Sequence, residues 1–137
     1  METEGQFSPT TVAAARERYE SLGPTAQVVV KEVAKAMDLS ADEYRERVTG
    51  EVVETARDVI FAESLAVTVG SRAEFEDWRA DADHTVEVVG ADTVDNVVWH
   101  APDFAETAVA ATYQSEREAA VGTLRRQAFG RLYSEVV

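Results

Sequence analysis

Histidine is the one side chain whose charge changes near neutral pH without help from its surroundings, and this chain has two. His100 stands in Trp99-His100-Ala101-Pro102-Asp103, at the end of an expected strand, where an imidazole with a carboxylate nearby serves as general base or metal ligand. No nucleophile, glycine-rich phosphate loop or second histidine at ligand spacing accompanies it. A histidine that only satisfies hydrogen bonds at a sheet edge gives the same pattern. His84 closes Asp81-Ala82-Asp83-His84, which places three hard or borderline metal ligands within four residues. A solvated, acidic helix end has the same composition. The absence of cysteine removes thiolate zinc sites, iron–sulfur clusters, disulfides and cysteine nucleophiles together. No cofactor is implied.

Cations form the second group. Residues 114–137 hold four arginines and three glutamates, a local net of +1 that leaves residues 1–113 at −14. Arg125, Arg126 and Arg131 are thus the one basic concentration in an acidic chain, suited to an anionic ligand or a partner's acidic face. Cations also favour the C-terminal half of a helix for electrostatic reasons alone. Gly122 and Gly130 lie in the same expected helix, where a glycine costs about 1 kcal/mol. Close approach of another backbone, from this chain or a second copy, would account for them.

Residues 33–48 resemble the helix-turn-helix of DNA-binding regulators: apolar anchors at Ala34, Met37, Leu39, Tyr44 and Val48 surround a tight turn at Asp38. Asp38 replaces the usual glycine, and aspartate tolerates the left-handed conformation. The would-be recognition helix offers Arg45 and Arg47 but also Asp42, Glu43, Glu46 and Glu51, a net negative face toward phosphate. Nucleic acid is therefore an unfavoured partner, and two helices packed for structural reasons are the competing reading.

The elements that must position these residues follow from periodicity. Residues 1–7 show no pattern and are expected to be loose. Ser8-Pro9 is expected to cap a helix that ends at Gly23-Pro24. A second helix, from about Pro24 to Met37, is expected to turn Val29, Val30, Val33, Ala34 and Met37 inward. Ser40 and Glu43 form a capping box opening a third helix, bent or split at Gly50, that reaches about residue 64. From Leu65 the period changes: a strand over 65–69, a capping box at Ser71 and Glu74 opening a short helix that buries Phe75 and Trp78, and valine-rich strands over 85–89 and 96–100 expected to pair as a hairpin. Alternation over 105–113 favours a fourth strand. Ser115 and Glu118 suggest another capping box and a last helix to about Glu135, with Val121, Leu124, Ala128 and Leu132 inside. The fold class is α+β: N-terminal helices, then a small mixed or antiparallel sheet with one inserted helix and a C-terminal helix, in one domain spanning residues 1–137.

Composition bounds the setting. Of 137 residues, 26 are acidic and 13 basic, for a formal net charge of −13. Only Lys31 and Lys35 are lysines, and Ile60 is the sole isoleucine. Abundant carboxylates, few lysines and small apolar side chains describe a protein adapted to multimolar salt, where screening relieves self-repulsion and carboxylates hold water. Such a charge repels free nucleic acid and anionic membranes. No stretch has the length and apolarity of a membrane span, and the first residues lack the order of a signal peptide, so a soluble cytoplasmic protein is expected.

Three segments, LGPTAQVVVKEVAK at 22–35, VTGEVVETAR at 48–57 and EREAAVGTLRRQAFG at 116–130, carry a nearly full-length resemblance to a haloarchaeal protein family, a domain of unknown function. The resemblance implies haloarchaeal origin and supplies no activity or catalytic residue. Three readings follow: a non-catalytic interaction or regulatory protein, self-associating or meeting a protein partner through the terminal helix; a helix-turn-helix regulator using Arg45 and Arg47; and a small enzyme at His100 and Asp103.

Overall fold

In the computed structural model, which describes residues 1–137, serine and threonine caps set where the helices begin. Thr11 accepts from the Ala14 amide at 3.0 Å and opens α1, Val12–Ser21. Ser8-Pro9, expected to open it, lies upstream because the extended pairing of Phe7 with Leu65 holds the chain straight at that point. α2, Gly23–Ala36, follows at once, with Pro24 in its first turn where a missing N–H is harmless. Asp38 makes the turn at φ +55°, the left-handed conformation aspartate tolerates. Ser40 and Glu43 form the expected capping box of α3, Ala41–Arg47. Thr49 then caps α4, Gly50–Ser64, so the helical run is split at Gly50.

Strands β1, Glu2–Glu4, β2, Val67–Ser71, β3, Thr85–Val89, β4, Asn96–His100, and β5, Thr107–Tyr113, form one mixed sheet in the order β1-β2-β4-β5-β3. The fold is α+β, with α5, Arg72–Asp81, inserted between β2 and β3 behind its Ser71–Glu74 capping box. At the C-terminal end, α6, Arg117–Ala128, runs into a π-helical turn, Phe129–Tyr133.

Four expectations are corrected. Residues 2–4 are not loose: β1 pairs antiparallel with β2, and Arg117 reaches Glu2 and Glu4 at 2.8 Å each. A three-residue strand fixed by remote partners, β2 and Arg117, leaves no periodic trace. β3 and β4 form no hairpin, because β5 lies between them, parallel to β3 and antiparallel to β4. Burial explains this: Val97, Val98, Trp99 and His100 are all buried, as a central strand requires, whereas Thr85 and Glu87 are exposed, as an edge allows. β2 starts two residues later than expected because Leu65 closes α4, its amide bonding to the Ala62 carbonyl at 3.1 Å. The capping box at Ser115 does not form. Asn96 holds the Gln114 carbonyl at 2.9 Å, keeping the chain extended, and Glu116 occupies the cap without a side-chain hydrogen bond.

The main core lies between one sheet face and α1, α4 and α6. Its centre is Phe61, fully buried, with the rings of Phe7, Tyr19, Phe129 and Tyr133 edge-on at 5.2–5.9 Å, the arrangement that aromatic quadrupoles favour. A smaller cluster of Phe75, Val97, Trp99 and Ala110 lies under α5. Trp78, expected to be buried, is half-buried beside it and stacks on His84.

Gly5 links β1 to α4. Its φ is +107°, and a Cβ there would lie 2.4 Å from the Leu65 carbonyl oxygen. Gly5→Ala is expected to destabilise the fold by about 1–3 kcal/mol, read as a lowered denaturation midpoint with unchanged slope. Gly50→Ala, at a position with nothing within 4 Å, serves as the tolerated control.

Candidate functional site

His100 is 2 % exposed, at the end of the central strand β4 and beneath the π-helical turn. Its Nδ1–H donates to the Ala66 carbonyl at 2.7 Å, which fixes the tautomer, because a carbonyl only accepts. Nε2 then accepts from the Tyr133 hydroxyl at 2.6 Å. Burial pushes the imidazole pKa down to about 4; the Ala66 carbonyl opposes that shift and the Arg125 charge adds to it. Burial likewise raises the Tyr133 phenol above its ordinary range. Asp103 is exposed in the β4–β5 loop, and none of the larger surface cavities includes either residue. His100 spends both nitrogens within the protein, so His100 and Asp103 form no acid–base pair.

The other predicted groups are also dispersed. His84 bonds through Nε2 to the Pro102 carbonyl at 3.0 Å, and no three His, Asp or Glu side chains converge as a metal cluster around Asp81 and Asp83 or elsewhere. Arg125 lies largely buried, its Nε 3.0 Å from the Leu65 carbonyl and its Nη2 3.4 Å from that of Glu4. It fastens β1 and the α4–β2 junction to α6. Arg131 pairs with Glu87 of β3 at 2.6 Å. Arg126 points elsewhere, and the three arginines do not share a surface. Gly122 and Gly130 admit no close backbone: the only atoms within 4 Å of a Cβ on Gly122 belong to Arg126, and Gly130 has none. Arg45 pairs with Asp42 and Arg47 with Glu43, both within α3, which weighs against a DNA-reading helix.

A different feature stands out, on α2–α4. Only one stripe of α2 is buried, Ala26, Val30 and Ala34, packed toward α4. Val29, Val33 and Met37, expected to face inward, are exposed, the last two by more than half. With Leu39, Val48, Val52 and Ala56 they line a groove of about 390 Å³ between α2 and α4. A second furrow, about 470 Å³, runs beside Val28, Lys31 and Tyr44. Of the eight large apolar side chains exposed on the protein, four line the groove, Val29, Val33, Met37 and Val52, and two, Val28 and Tyr44, line the second furrow. The sequence signal for it was present in the run Val28-Val29-Val30, which is too wide for one buried stripe and places apolar side chains on more than half of the helix circumference.

The buried histidine makes a testable demand. It binds its proton near pH 4 in the folded protein and near 6.5 when unfolded. Between those values the unfolded chain holds the extra proton, and stability falls as pH drops. Stability is expected to decline by about 3 kcal/mol from pH 7 to 4. The part above about pH 5.5 should vanish in His100→Gln, since the carboxylates with lowered pKa, Glu2, Glu43 and Glu74, lose their contribution only as pH falls into the unfolded carboxylate range near about 4.3 and below. Tyr133→Phe, which keeps the ring and strips the donor from Nε2, should cost about 1–3 kcal/mol at pH 7, measured by denaturant titration.

No curated protein matches the chain, and no solved structure does. One family model matches residues 6–134, that of a family of unknown function, DUF5809. The match agrees with the expectation of a domain of unknown function over nearly the full chain and spans almost every element that builds the groove, the sheet and the buried histidine. The chain belongs to the DUF5809 family.

Proposed function

We propose that this is a non-catalytic interaction protein of a haloarchaeal cytoplasm, and that it meets a second copy of itself through the α2–α4 face. The observation that carries the reading is the concentration of exposed apolar side chains on that face in a chain of net charge −13. Large contiguous apolar patches on otherwise polar proteins are where contacts form.

Two features favour a second copy as the occupant. The face has both a ridge, α2, and a groove beside it, and a two-fold contact needs one surface to supply both. α2 also carries two lysines against one glutamate, so it is a locus where two anionic bodies can approach without adding like charge. Salt favours the contact in two ways: it shortens the screening length to about 3 Å at 1 M, and salting-out ions strengthen apolar association.

Light scattering behind gel filtration in multimolar KCl is expected to give twice the 15.0 kDa chain mass, with the dimer fraction falling as salt is lowered while circular dichroism still reports a folded chain. Val33→Glu should yield a folded monomer, and Arg126→Glu on the terminal helix should leave the dimer intact. A wild-type chain that stays monomeric at every concentration in high salt overturns the reading, as does a dimer lost by Arg126→Glu and kept by Val33→Glu.

A further inference from the structure

The charges on the far side of α4 have a different arrangement. A cleft of about 260 Å³ opens between α4, which supplies Asp58, Val59 and Ala62, and the α6–π-helical segment, which supplies Arg126, Phe129, Gly130 and Ser134. Arg126 is the one arginine with neither a carboxylate, a carbonyl nor an aromatic ring as partner; the other ten each have at least one. In a chain with two carboxylates for every cation, an unpaired guanidinium is conspicuous. Asp58 stands on the opposite wall. One of its oxygens accepts from the Tyr19 hydroxyl at 2.6 Å, and the other has no partner. Burial above all, and that hydrogen bond, push the Tyr19 phenol up to about 12, so Tyr19 stays a donor to Asp58 through the neutral range. Asp58 and Arg126 line one cleft and form no ion pair across it.

The wall is also left open. Gly130 sits in the π-helical turn with no atom within 4 Å of where a Cβ would stand, so packing does not require a glycine there, and glycine costs about 1 kcal/mol in a helix. The floor is apolar: Val59, Ala62 and Phe129.

We propose that this cleft binds a small apolar zwitterion, an α-amino acid with a hydrocarbon side chain. Its carboxylate meets Arg126 in a charge-assisted, bidentate geometry, its ammonium meets the free oxygen of Asp58, and its side chain covers Val59 and Phe129. A plain anion faces the Asp58 carboxylate and a plain cation faces Arg126, so only a ligand carrying both charges is favoured at both ends. The volume lies just under the roughly 300–1,000 Å³ of sites for drug-sized molecules, the scale of a single amino acid. The site is independent of the α2–α4 face.

The test is a two-dimensional NMR titration of the full chain with L-valine in multimolar KCl. Saturable shifts are expected at the amides of Val59, Gly130 and Ser134. Isovalerate, which lacks the ammonium, and isobutylamine, which lacks the carboxylate, are expected to bind at least about tenfold more weakly. Arg126→Gln, a change at an exposed side chain that leaves the fold intact, should weaken valine by a similar factor, and Gly130→Leu should abolish the shifts by filling the cleft. The proposal is overturned if valine shifts none of these amides, if isovalerate binds as tightly as valine, or if Arg126→Gln retains full affinity.

Discussion

The hydrogen bond from the Tyr133 hydroxyl to His100 is the interaction on which the rest of the molecule depends. Tyr133 reaches it from the end of the π-helical turn, and His100 passes the constraint to the Ala66 carbonyl at the start of β2. The same tyrosine ring packs on Phe61 and on Phe104. One buried side chain therefore joins the terminal helix, α4, the central strand and the β4–β5 loop. A buried polar pair has to be complete, because a half-satisfied one costs more than apolar packing would. His100 fastens these elements to one another, and its depressed pKa follows from that position.

Once α4 and α6 are fixed to the sheet by this contact, the remaining helices have little core left to share. α2 packs on α4 as an outer tier, with α1 beside it, and buries one narrow stripe of small residues and a valine. Its other valines, Val28, Val29 and Val33, stay exposed along the two furrows beside it. The surplus of apolar surface on α2 is thus a consequence of topology, and the proposed association covers it. The arginines follow a parallel logic. Arg117 and Arg125 bind carboxylates and carbonyls of β1 and its flanks, holding an edge strand that has almost no hydrophobic anchor of its own, while Arg126 alone is held by nothing.

How far the sequence announced this differs from element to element, and the differences have physical causes. Capping boxes at Ser40 and Ser71 were legible because they are local: four residues contain both hydrogen bonds. The choice of strand for residues 107–113 was legible from alternation, since the side-chain period of two survives in Val109, Ala111 and Tyr113. The pairing of β3 with β5 was not, because strand order is decided by which strand is buried on both faces, a property of the assembled sheet. β1 left no trace for the same reason: its partners are remote. The inward assignment of Val29, Val33 and Met37 failed because helical periodicity identifies an apolar face without saying whether another element covers it. The clustering of arginines on the terminal helix was legible as a concentration, but the direction of each side chain was not, since consecutive residues on a helix point about 100° apart and Arg125 and Arg126 go separate ways.

The most direct measurement of the central claim, that the uncovered face of α2 is an interface between copies, is a filtered NOE experiment on a mixture of isotope-labelled and unlabelled chains in concentrated salt. The account predicts intermolecular contacts from the methyl groups of Val29, Val33 and Met37 on one chain to Val48 and Val52 on the other. Intermolecular contacts confined to α6, or none at all from α2 in a sample shown to be dimeric, would contradict it.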